Sequence, residues 1–122
     1  MADKLLIVMM NSNPDEAIEL VPPISQAIVA AAMGFEVEMI FTGRCAGVLK
    51  KGAATQIRLA ADRTTTVHDL IKEAVQAGVR FKICTAGIEH QGEEIISEVE
   101  ERVGGAYIIS EAMDSATVTF TY

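Results

Sequence analysis

The chain has 122 residues, a length that builds one hydrophobic core without metal or disulfide staples and leaves no room for a second, so residues 1–122 read as a single domain. Half of the residues are apolar, 22% are charged and only 3 are proline, which excludes the disordered, collagen-like and low-complexity classes. The net charge of −7 argues against a nucleic-acid binder, which needs a basic face to neutralise phosphates.

In chain order, Lys4-Leu-Leu-Ile-Val-Met-Met10 is apolar on both sides, as a parallel strand covered on both faces must be. Asn11-Ser12-Asn13-Pro14 then marks a turn and a helix start, with Asp15 and Glu16 favourable to the helix dipole. The helix is expected to break or restart at Pro22-Pro23, resume over Ile24 to Met33 and stop at Gly34, a left-handed cap. Glu36 to Thr42 reads as a second strand and Gly43 to Lys51 as a loop with a short helix, while Gly52 to Thr65 carries no assignable pattern. Thr66 and Asp69 form a capping box ahead of a helical face made by Val67, Leu70, Ile71, Ala74 and Val75, which ends at Gly78.

Val79 to Cys84 is the third strand, followed by a helical stretch over residues 86–98 with a break at Gly92. A short strand between Val99 and Gly105, a helix near Ala106 to Met113 and a last strand from Ala116 to Thr121 complete the chain, with a strand over Ala106 to Ile109 as the alternative. Alternating strands and helices predict an α/β fold with a mostly parallel sheet and right-handed crossovers.

The uncharged run from Leu20 to Phe35 contains two prolines and falls short of the ~20 residues that span a bilayer. Met1-Ala2-Asp3-Lys4 leads into the first strand with no cleavage site behind it, so no signal peptide is read, no membrane partner is expected and the expected location is cytoplasmic. A mean hydropathy of +0.29 is high for a small monomer and suggests apolar surface facing another subunit. Residues 44–82 carry eight bases and three acids, the only cationic third of the chain and the natural seat for an anion.

Ligands of such sheets bind beyond the carboxyl ends of the strands. Three loops are expected there: Asn11 to Asn13, Gly43 to Gly47, and Cys84 to Gly87. If Cys84 stands at a helix N-terminus, the N–H groups of Thr85, Ala86 and Gly87 favour its thiolate and make it a nucleophile. The competing reading is a small buried hydrophobe, a common fate of free Cys. Cys45, between Arg44 and Gly47, reads as an exposed turn thiol, either a resolving partner for Cys84 or simply a surface thiol, and both cysteines are expected free. Arg44, Lys50 and Lys51 are anion-binding candidates beside the ordinary reading of a solvated basic face.

His90 sits about 240° around a regular helix from Cys84, so no Cys–His pair is implied, and His68 and His90 read as surface or cap residues. The six glutamates between Glu89 and Glu101 show no metal-ligand pattern and read as a solvated helix face. No metal site or cofactor is expected: there is no phosphate loop, no dinucleotide fingerprint and no Cys-x-x-Cys.

The segment Gly78-Val-Arg-Phe-Lys-Ile-Cys84-Thr-Ala-Gly-Ile-Glu-His-Gln-Gly92, within a whole-chain likeness from Leu5 to Thr121, resembles the DsrE/TusD-like (DsrE/DsrF-like) sulfur-relay family. In its sulfur-relay members a similar strand ends in a cysteine that carries sulfur as a persulfide, with a glycine eight residues on, and Cys84 matches that position. Thr85-Ala-Gly departs from the bulkier segments common there. The resemblance implies a small five-stranded, Rossmann-like or flavodoxin-like three-layer α/β sandwich assembled as trimers or hexamers. It also implies a sulfur carrier or sulfurtransferase-like subunit working between donor and acceptor proteins through Cys84, around which the strand-end loops are expected to place Asn11, Arg44, Cys45, Thr85, Ala86 and Gly87. The rival reading is a non-catalytic oligomeric module binding a small anion or metabolite through Arg44, Lys50 or Arg58.

Overall fold

The computed structural model describes residues 3–61, 63–84 and 94–122. Five strands, β1 (Lys4–Met9), β2 (Glu36–Phe41), β3 (Arg80–Cys84), β4 (Val99–Val103) and β5 (Thr117–Thr121), form one all-parallel sheet in the order β4-β3-β2-β1-β5. The chain steps outward from β1 to β4 and then returns to lay β5 on the other side of β1. The two outward crossovers through α1 (Ala17–Ala32) and α2 (Val67–Ala77) therefore share one face, and the return through α3 (Gly105–Ala112) covers the opposite one.

Side-chain alternation sorts the strands between these faces. Ile7, Met9, Val37, Met39, Phe41, Phe81 and Ile83 meet Leu20, Ile24 and Ala27 of α1 and Leu70, Ile71 and Ala74 of α2 in the main core. Leu6, Val8, Ile40 and Cys84 form a smaller cluster against Tyr107, Ile108 and Ala112 of α3. The expected three-layer α/β sandwich is observed, with one layer of two helices and a thin second layer in which α3 buries no residue completely.

The helix containing Pro22-Pro23 is one continuous element rather than an interrupted one. The two missing N–H groups would have bonded the carbonyls of Ile18 and Glu19, which belong to exposed residues in the first turn where water reaches them, and Pro23 is buried against the core. The expected helix over residues 86–98 is also corrected for its described part. Residues 94–96 pair instead with the chain around Leu49, through Lys51 N–H to Glu94 O (2.8 Å) and Ile96 N–H to Leu49 O (3.0 Å), and residues 97–98 form a turn. Burial of Ile96 overrides the helical propensity of its acidic neighbours. The unassigned stretch before α2 holds a 3-10 turn over Ala54–Gln56 and an antiparallel bridge between Arg58 and Thr66.

The ends of α2 follow the sequence signals. Thr66 and Asp69 make the reciprocal capping box, and Gly78 closes the helix at φ 108°. Nothing lies within 4 Å of the position a Gly78 Cβ would take, so Gly78→Ala meets only the left-handed backbone penalty. It is expected to lower stability in urea denaturation by roughly 1–2 kcal/mol. Gly104→Ala, at φ −108° and equally uncrowded, loses only the preference for glycine over alanine at the N-cap of α3 and should cost less, about 0.5 kcal/mol.

Candidate functional site

The face under α3 is divided along the strands. Lys4, Glu36, Glu38, Arg80 and Lys82 occupy the amino-terminal half, and Leu6, Val8, Ile40 and Cys84 the carboxyl-terminal half, because each strand passes from charged to apolar residues at alternate positions. Cys84 is the last residue of β3, beside Val103 of β4. It is 4% exposed and two residues, about 6.6 Å along the strand, beyond Lys82.

Glu38 is 1% and the Lys82 side chain 3% exposed, and each is satisfied by several partners. Lys82 Nζ donates to Tyr107 Oη at 2.5 Å, and Tyr107 Oη donates to Glu38 Oε1 at 2.6 Å. Lys82 also pairs with Glu38 at 3.2 Å and Glu101 at 2.9 Å, while Lys4 joins Glu38 at 2.8 Å to Glu111 of α3 at 3.1 Å. Burial pushes the Glu38 carboxyl up, but the hydrogen bonds from Lys4, Tyr107 and Lys82 outweigh it and hold the group below the usual carboxylate range. Burial pushes Lys82 down, and its bonds to Tyr107, Glu101 and Glu38 reverse this and keep the ammonium charged. The network ties α3 to the sheet at the rim of a cavity of about 420 Å³.

Sequence reasoning did not single out Lys4, Glu38, Lys82 or Tyr107. The available signal was charge at inward positions of adjacent parallel strands, where apolar residues are the rule.

The two thiols are not brought together. Cys45 lies in a 3-10 helix, Gly43–Leu49, and is buried in the main core on the α1 and α2 side, whereas Cys84 belongs to the cluster on the other face. The expected exposed turn is corrected: Arg44 is exposed, and its neighbour Cys45 points inward with Sγ donating to Ser12 O at 2.9 Å. Burial pushes the Cys45 thiol up, away from the thiolate a resolving cysteine needs.

Asn11 is exposed beyond β1, where its N–H joins that of Met10 on the Tyr122 carbonyl. This is the point where strand order reverses, so Asn11 sits at the topological switch while Cys84 ends a strand two places away. Thr85, Ala86, Gly87 and His90 lie outside the described residues. Arg44, Lys50 and Arg58 are all exposed; Arg44 lies on the Gly43–Leu49 helix and Lys50 at its end, whereas Arg58 stands farther along the chain in the bridge to Thr66.

His68 is not a plain surface residue: its Nε2 meets Glu98 Oε1 at 3.0 Å, both partly buried in a cleft that Lys72 and Arg102 also line. The described glutamates of the acidic stretch are ion-pair partners rather than a helix face, with Glu100 on Arg80 at 2.6 Å and Glu101 on Lys82. Among the described residues, no group of three or more His, Cys, Asp or Glu side chains is placed to hold a metal ion, and no helix is long and apolar enough to cross a membrane.

No family model and no curated protein matches the chain. Solved structures do. The crystal structure of the ychN protein from E. coli is similar over 100% of both chains at 12% identity, with a TM-score of 0.73. A conserved protein of unknown function from Bacteroides thetaiotaomicron, BT1422, is similar over 98% of this chain and 95% of its own at 17% identity, with a TM-score of 0.65.

Proposed function

Because the chain has the DsrE/DsrF-like fold, we propose that it is a cytoplasmic sulfur carrier that works through Cys84 as a single thiol, within a homo-oligomer (a trimer or hexamer) that exchanges sulfur with donor and acceptor proteins. The observation that supports this reading is the position of Cys84 at the carboxyl end of β3, in an apolar wall, with the sheet between it and Cys45. A nearly closed apolar setting suits a persulfide, which must be kept from water and from stray thiols between loading and delivery.

In loading, the Cys84 thiolate attacks the outer sulfur of a donor persulfide. A new S–S bond forms on Cys84, the donor's S–S bond breaks, and the donor leaves as its thiolate. In delivery, an acceptor thiolate attacks the outer sulfur and Cys84 leaves as thiolate. Sulfur moves with no net oxidation, so neither a cofactor nor a second cysteine of this chain is required.

Incubation with a sulfane-sulfur donor, followed by thiol-specific mass mapping, tests the proposal. Cys84→Ser is expected to abolish sulfur acquisition while the fold is retained. Undiminished loading in that variant removes Cys84 from the chemistry.

A further inference from the structure

We infer that the outer edge of β5, unpaired among the described residues, joins two copies of this chain, strand to antiparallel strand, into one continuous sheet. This names a surface within the homo-oligomer reading above. The backbone direction is settled by the hydrogen bonds to β1: Tyr122 N–H donates to Val8 O at 2.9 Å, Tyr122 O accepts from Met10 N–H at 2.8 Å, and Ala116 O accepts from Asp3 N–H at 2.8 Å. Alternation then turns Val118 and Phe120 toward β1 as well, and turns the N–H and C=O groups of Thr117, Thr119 and Thr121 outward. Of these, Thr117 N–H is already held by Asp114 O at 3.0 Å.

The two edges of the sheet differ in chemistry. β4, Val-Glu-Glu-Arg-Val, carries the charges that keep an edge from pairing, whereas β5, Thr-Val-Thr-Phe-Thr, carries no charge and no proline. Beside β5, Val118 and Phe120 are 45% and 43% exposed and open onto a groove of about 710 Å³ shared with Val29, Met33 and Phe35.

A second copy is the occupant that fits. The strand alternates the same way read in either direction, so a two-fold axis through Thr119 sets Val118 against Phe120 of the second copy and threonine against threonine. Thr119 and Thr121 then donate to the outward carbonyls of Thr119 and Thr117 across the axis. Thr119 Oγ1, buried and without a hydrogen-bond partner among the described residues, gains a facing hydroxyl after rotation of its side chain. A chain of net charge −7 repels its own copies over most of its surface, and this strand is a place where neutral meets neutral.

Sedimentation of the full chain tests the inference. The wild type is expected at an even multiple of the monomer mass. Thr119→Pro deletes an outward N–H, leaves the β1 ladder intact and should halve that mass with an unchanged far-UV spectrum. If that variant does not fold, Val118→Lys, on the exposed groove, replaces it with the same expectation. A monomeric wild type, an odd multiple alone, or an unchanged mass in the folded variant overturns the inference. An oligomer of unchanged mass removes this edge and leaves the homo-oligomer reading standing, and sulfur loading on Cys84 in the same variants reports on the carrier reading separately.

Discussion

Glu38→Ala is expected to destabilise the fold by about 3–5 kcal/mol, the usual cost of removing one partner from a buried ion pair. The magnitude follows from what remains: Lys82, 3% exposed, would keep its charge with Glu101 as its one remaining carboxylate among the described residues, and Tyr107 would lose the acceptor of its hydroxyl. The double variant Glu38→Leu/Lys82→Met should recover much of the loss, since it leaves no buried charge behind. Urea denaturation of the singles and the double measures this directly, and an additive double variant contradicts the network.

The pH dependence has a defined sign. The Glu38 carboxyl is held below its unfolded value of 4.5, so its contribution is fully present above that pH and is lost as pH falls through the lower folded value. Lys82 is raised above its unfolded 10.5, so its contribution is present below that pH and is lost only as pH rises through the higher folded value. Stability is expected to hold between these limits, with the acid limb shallower in Glu38→Ala.

Phe81→Ala is expected to cost about 3–5 kcal/mol through the cavity it leaves in the main core. Phe81 is fully buried and stacks on Phe41 with ring centroids 6.0 Å apart. Both rings lie on the face opposite Cys84, so the variant loosens β3 without touching the wall of the candidate site. The midpoint of urea denaturation should fall accordingly, while sulfur loading under native conditions persists. A loss below about 1 kcal/mol would mean that the two rings are not closely packed.

Much of this architecture was legible in the sequence because it rests on local signals. The apolar run of β1, the Thr66–Asp69 capping box and the Gly78 stop each specify their element with no help from distant residues. The misreadings arose where tertiary packing overrides a local rule. Pro22 and Pro23 sit where the carbonyls they free are solvated, and Glu94 to Glu98 look helical only until Ile96 is seen to dock beside Leu49. Cys84 was legible from its strand-end position, but its separation from Cys45 was not, because that depends on which face each residue takes after the sheet is ordered. The network of Glu38, Lys82 and Tyr107 joins residues as far as 69 apart in sequence, and no spacing announces it.

The most direct measurement is a map of sulfur on the wild-type chain after loading from a sulfane donor and again after discharge to a small thiol. The expected result is one added sulfur atom on Cys84 alone, its complete loss on discharge, and Cys45 free throughout. Sulfur on Cys45, or a Cys45–Cys84 disulfide after discharge, would contradict a single-thiol carrier.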